Sequence, residues 1–77
     1  MKAPKVKTPT FGKILGELMK KHNTKQQDLA DSIGVYQGNI SNWLHDNSAP
    51  GYFSIIKLCK YFNVTADYLL DIDDKKQ

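Results

Sequence analysis

Gly34 constrains this chain more than any other residue, because it divides two short apolar patterns within Gln26 to Trp43, QQDLADSIGVYQGNISNW. Leu29, Ala30 and Ile33 fall at the spacing that gives one helix an apolar face, and Ile40, Trp43 and Leu44 repeat it beyond the glycine. A glycine just past the last apolar residue of a helix takes the left-handed conformation that residues with a Cβ resist. The chain can then stop, turn and restart within a few residues. Ala30 is small, as two helices crossing steeply require where they touch. The pattern predicts two short helices held at a fixed angle by a turn of about three to four residues.

Flanking patterns supply the rest of a bundle. Phe11, Ile14, Leu15, Leu18 and Met19 repeat at i, i+3, i+4, i+7 and i+8, which predicts a helix from Thr10 as N-cap to about His22. Lys20 and Lys21 suit the negative pole at its end. Thr24 and Gln27 have the spacing of a capping box and predict a second helix over about Lys25 to Ser32. A third is expected over about Gln37 to His45. The stretch HDNSAPG that follows is turn chemistry, since Asp and Asn tolerate the left-handed region and Pro-Gly breaks a helix. Ile55, Leu58, Cys59 and Phe62, widened by Phe53 and Ile56, place a fourth helix at Tyr52 to Phe62. Cys59 lies in that stripe and reads as a core residue, not a nucleophile. Thr65 is the expected N-cap of a fifth helix ending near Leu70, with Asp67 in its first turn.

Seventy-seven residues allow one small core and leave no room for a deep enzyme cleft beside it. Residues 1–25 hold seven lysines and one glutamate, a net of +6, while residues 26–77 hold four lysines and seven aspartates, a net of −3. The basic end suggests an anionic partner, with a solvated lysine-rich terminus as the plain alternative. We divide the chain into a flexible basic arm over 1–9, a folded domain over 10–71 and a charged tail or linker start over 72–77. The arm either follows phosphates or serves as a solubilising tail. Cys59 is alone, so no internal disulfide is expected, as in a reducing compartment. No apolar signal region or run of 18 apolar residues is present, which points to a cytoplasmic chain. No nucleophile–base–acid set, phosphate loop or metal-ligand spacing is evident, so no enzyme, catalytic residue, metal, cofactor or small-molecule substrate is expected.

The spacing of Gln26, Leu29, Ala30, Gly34, Val35, Ile40, Ser41, Trp43 and Pro50, with Asn63-Val64-Thr65 before Leu69, resembles the Cro/phage-repressor (XRE-type) helix-turn-helix family. The resemblance runs without a gap from about Phe11 to Leu70, with the motif over about 26–45. It implies an all-α, compact five-helix bundle of the lambda-repressor-like type that binds operator DNA, usually as a two-fold dimer. Several positions depart from the family. Met19 and Leu44 stand where an arginine and a glutamate commonly bridge two helices, so the ion pair looks replaced as a unit by an apolar contact, a swap that is often neutral or stabilising. Asp46 replaces the usual glycine after the third helix, Tyr36 replaces its capping Ser or Thr, and Lys25 stands where a capping Thr is expected.

Against that family frame, the third helix carries the reading surface. At 100° per residue, Ile40, Trp43 and Leu44 point one way and Gly38, Ser41, Asn42 and His45 the other, with Gln37 and Asn39 flanking the outward side. Gln37, Gly38, Asn39, Ser41 and Asn42 are the expected contacts to base edges. Side-chain amides donate and accept at once, which matches adenine N6 and N7. The chain has no arginine and this helix no lysine, so recognition is expected to lean on adenine and thymine. Gln26, Lys25, Tyr36, His45 and Asn47 are the expected phosphate contacts, Gln26 by its family position in the first turn of the second helix. Two positions stay open. Gly38 either permits close approach or marks a frayed first turn, and Tyr36 either offers its hydroxyl to a phosphate or is a half-buried aromatic. The expected function is sequence-specific binding of double-stranded DNA by a repressor or regulator of phage or bacterial type, as a homodimer. The alternative is a protein-interaction module of the same fold, an antitoxin-like or antirepressor-type partner that meets a protein through Tyr52, Phe53, Tyr61 and Tyr68.

Overall fold

A computed structural model describes residues 11–71 and resolves them into five helices: α1 (Phe11–Lys21), α2 (Gln26–Ile33), α3 (Gln37–Leu44), α4 (Tyr52–Phe62) and α5 (Ala66–Leu70). The basic arm, the Thr10 cap and the tail lie outside the described residues. Each helix puts one large aliphatic side chain fully out of reach of water: Leu15, Leu29, Ile40, Leu58 and Leu69 are all 0 % exposed. Around these five close Leu18, Met19, Ala30, Ile33, Trp43 and Phe62, in one continuous core. Burial of each large side chain is worth about 1.5–3 kcal/mol, which is what holds helices too short to persist alone in water. α3 packs on α2 and α1, α4 on α2 and α5, and α5 closes against α1.

The turns follow from residues that tolerate positive φ. Gly34 has φ 76° and ψ 39°, and the N–H groups of Gly34 and Val35 both donate to the carbonyl of Ala30, at 2.8 and 3.0 Å. Those bonds close α2 and start the chain toward α3 within three residues. Asn23 (φ 54°) and Asn63 (φ 58°) end α1 and α4 in the same region, with Thr24 N–H donating to Met19 and Val64 N–H to Cys59. Thr65 caps α5 as expected, its Oγ1 accepting the Tyr68 N–H at 3.1 Å. Thr65→Ala should lower stability by about 1 kcal/mol, read as a shift of the urea midpoint at unchanged slope.

Two expectations about α2 need correction. The Thr24–Gln27 capping box does not form, and α2 begins at Gln26 with Lys25 as an N-cap lacking any side-chain bond. Gln27 instead donates to Asp31 Oδ1 at 2.9 Å, one turn ahead, and Thr24 Oγ1 turns back to the His22 carbonyl. The reciprocal cap is lost because the Thr24 N–H that Gln27 would accept is already donated to the Met19 carbonyl at 2.8 Å, while the Gln27 amide turns to the Asp31 carboxylate. α2 also continues to Ile33, one residue past the expected end, and α3 stops at Leu44, one residue short. His22 is exposed, yet its ring rests on Phe62 with centroids 5.2 Å apart. It shields a core residue instead of standing free at a helix end.

The departures Met19, Leu44 and Asp46 each acquire a physical role. Met19 is buried, Leu44 is half-buried against the same core, and Leu44 lies over Gly16 of α1. Asp46, with φ 57°, turns its carboxylate onto α1, where Oδ1 accepts the Gly12 N–H at 3.0 Å. The residue after α3 thus caps the start of α1, across 34 positions of sequence. Lys57 likewise reaches from α4 to donate to the Ile33 carbonyl at the end of α2, at 3.3 Å. No helix among the described residues is long and apolar enough to cross a membrane.

Candidate nucleic-acid interface

The outward side of α3 is built by what its inward side must bury. Ile40 and Trp43 are 0 and 5 % exposed, and anchoring them fixes the rotation of an eight-residue helix about its axis. Gln37, Gly38, Asn39 and Asn42 are consequently exposed, and Ser41 is half-buried at the edge of the face. The expected reading residues share one surface, which carries no acidic residue in its first turn and no basic residue in its last. Eight residues at 1.5 Å each make a rod of about 12 Å, close to the width of a B-DNA major groove.

At the near end of that rod, sequence reasoning missed a contact. Gln37 Nε2 donates to Gln26 Oε1 at 3.4 Å, so the first residues of α2 and α3 are joined through their side-chain amides. One N–H of Gln37 is spent on this bond. Its Oε1 and its other N–H, and both N–H groups of Gln26, make no further bond among the described residues. No local sequence rule links positions 26 and 37, and only the angle set at Gly34 brings them together. Lys25, Gln26 and Gln37 border one shallow groove, floored by Met19 and Leu44.

Tyr36 is 84 % exposed as the N-cap of α3 and makes no capping bond with its side chain, so the half-buried alternative does not hold. The first turn of α3 is closed by Asn39 N–H donating to the Tyr36 carbonyl at 2.9 Å. At the far end, His45 Nδ1 bonds the Ser41 carbonyl at 2.8 Å, which ties the ring to the end of α3 and leaves Nε2 free to meet a partner. Asn47 is exposed, with its N–H donated to the Asn42 carbonyl at 2.8 Å. His45 and Asn47 therefore stand about 12 Å and more from Gln37, at the opposite end of the rod. Among the described residues no cluster of His, Cys, Asp and Glu is arranged to hold a metal ion. Cys59 is half-buried against the core, and desolvation pushes its thiol above the ordinary range, away from nucleophilic reactivity.

Comparison with known proteins places this geometry. A family model described as helix-turn-helix matches residues 15–69. The HTH-type transcriptional regulator ImmR of Bacillus subtilis (strain 168) is 32 % identical over 65 residues, covering 84 % of this chain and 51 % of that protein. The chain therefore spans about half the length of this relative. Among solved structures, the P22 c2 repressor in complex with a synthetic operator superposes with a TM-score of 0.79 at 29 % identity, covering 86 % of this chain and 100 % of that one. The DNA-binding domain of the P22 c2 repressor in solution superposes with a TM-score of 0.77 at 27 % identity, covering 90 % of this chain and 93 % of that one.

Proposed function

The chain belongs to the helix-turn-helix family, and from that membership and the outward amides of α3 we propose that it binds double-stranded DNA sequence-specifically as a transcriptional regulator, of the phage or bacterial repressor kind. α3 lies in the major groove. Gln37, Gly38, Asn39, Ser41 and Asn42 meet base edges; Lys25, Gln26, Tyr36, His45 and Asn47 hold phosphates at the two ends of the rod. The observation that carries this reading is the Gln37–Gln26 bond. It leaves Gln37 with one acceptor and one donor unbonded among the described residues, the complement of adenine N6 and N7, and frees the Gln26 amide to donate to a phosphate beside it. With no cationic side chain on α3 and no arginine in the chain, bidentate recognition of guanine is unavailable, and adenine and thymine positions dominate the operator. The DNA-binding unit is residues 10–71, and the chain acts in the cytoplasm.

Two copies bind as a homodimer, each reading one half-site. Tyr61, Tyr68 and Leu70, 38, 50 and 38 % exposed on α4 and α5, supply apolar surface for that contact.

Duplexes selected from a random pool, titrated by fluorescence anisotropy at several salt concentrations, test the proposal. Affinity should fall with a log-log slope of about −0.9 per neutralised phosphate, and Lys25→Ala should reduce that slope while weakening all sequences alike. A binding curve flat in salt would count against DNA as the partner. A second reading, a protein-interaction module, is favoured by Tyr52 and Phe53, each 73 % exposed with their rings in edge contact. Capture of a stoichiometric protein partner without any shift of DNA at low salt would select it.

A further inference from the structure

We propose that the cavity between the end of α1 and the α4–α5 turn is a binding site for a small aromatic carboxylate. The inference stands apart from the DNA-binding reading, because no residue of α2 or α3 lines the cavity. Its volume is about 510 Å³, within the range of small-molecule sites. The floor is apolar. Leu18 and Phe62 are 3 and 2 % exposed, with Val64 half-buried beside them. The walls include Lys21, His22, Asn63 and Tyr68.

The floor selects a ring. His22 and Tyr61 already stand against Phe62, with centroids 5.2 and 4.9 Å away and their planes tilted 58° and 87° to it. Tyr68, 50 % exposed, borders the same space. An aromatic group entering the cavity joins that cluster in the offset and edge-on contacts such rings prefer, and covers apolar surface that the chain leaves open. The walls select a carboxylate. No acidic side chain lines the cavity, and Glu17, one turn back on α1, makes no ion pair with Lys21. The Lys21 ammonium, the Asn63 amide and the Tyr68 hydroxyl make no side-chain bond among the described residues, so three donors border one opening unspent. A carboxylate, which only accepts, is the group that suits them. The other grooves lack one half of this arrangement. Asp31 lines the one beside Tyr36, and in the one at the end of α2 Lys57 is already bonded to the Ile33 carbonyl. Beneath the reading face, the Gln26 and Gln37 amides are joined to each other. Occupancy of the α1–α5 cavity ties those two helices together and leaves the outward side of α3 open.

Two probes that differ only in charge test this. 3-Phenylpropionate and its uncharged amide are titrated into the isotopically labelled protein, and the backbone amide signals are followed by NMR. The carboxylate should saturate with a dissociation constant on the order of 1 mM. Signals of Lys21, His22, Asn63 and Tyr68 should move, while those of Gln37 to Asn42 stay in place. The amide should bind at least about threefold more weakly. Lys21→Gln should erase that difference by weakening the carboxylate alone, and Tyr68→Ala should weaken both probes by about threefold. Both side chains are exposed and outside the core, so each variant keeps the fold. Equal affinity of the wild type for acid and amide would overturn the assignment. So would shifts centred elsewhere, around Tyr52 and Phe53 for example, a preference for the acid that survives Lys21→Gln, or no saturation up to about 20 mM, well beyond the expected constant.

Discussion

Gly12→Ala is expected to lower the midpoint of thermal unfolding by about 10–20 °C, while Gly16→Ala, four residues along the same helix, leaves it unchanged or raises it. A Cβ at Gly12 would stand 2.9 Å from the carbonyl carbon of Leu44, nearer still to its oxygen, and 2.8 Å from Asp46 Oδ2. Backbone cannot yield as a side-chain tip can. α1 and the end of α3 must separate, which costs about 1–3 kcal/mol as overpacking. The separation also stretches the Gly12–Asp46 bond that caps α1, worth about 1 kcal/mol more. At Gly16 the added Cβ meets only Leu44 Cδ2, at an ordinary 3.7 Å, and alanine there gains up to about 1 kcal/mol of helix propensity. Circular-dichroism melts of the two variants decide the matter. If Gly12→Ala melts with the wild type, α1 and α3 are not as close as described, and the tilt of the reading helix is set by something else.

That contact bears on how much could be read from the chain before its structure. Periodicity located four of the five helices, with α4 matching at both ends, because apolar spacing is a local property and the core needs every such stripe. Gly34 and Thr65, the latter placing the fifth helix, were legible for the same reason: left-handed turns and N-caps are chosen by residue type within a few positions. The Thr24–Gln27 box misled because its spacing is met by chance where the Thr24 N–H closes the end of α1 on the Met19 carbonyl. Gly12 and Asp46 were illegible as partners. Each is an ordinary residue in its own segment, and only the crossing of α1 over the end of α3 makes the absent Cβ of one fit the carboxylate of the other. The reading face was legible through its opposite side, since the burial of Ile40 and Trp43 dictates that Gln37, Gly38 and Asn42 are exposed. What could not be foreseen was that Gln26 and Gln37, expected to play separate roles, touch each other.

That touch supports the second large effect. Gln37→Ala should lose about 1–3 kcal/mol of preference at one adenine position, roughly 5- to 150-fold, with little change for a duplex of unrelated sequence. Gln26→Ala should weaken the selected duplex as well, through the phosphate it no longer holds and through the freedom it returns to the Gln37 amide. If the two side chains act as a unit, the double variant loses less than the sum of the single losses, by at least about 0.5 kcal/mol. Neither single change should move the melting temperature appreciably, because Gln37 is exposed and Gln26 half-buried, and neither belongs to the core. The effect on binding is therefore separable from folding. Gln37→Glu sharpens the comparison: its carboxylate keeps the shape and an acceptor, but it cannot donate to Gln26 and it brings a negative charge to the groove. It should bind every duplex more weakly than Gln37→Ala does, most of all at low salt, where repulsion between carboxylate and phosphates is least screened. Strict additivity of Gln26→Ala and Gln37→Ala on the selected duplex would mean that the bond across the turn plays no part in recognition, and that the angle at Gly34 merely delivers two independent side chains to the same groove.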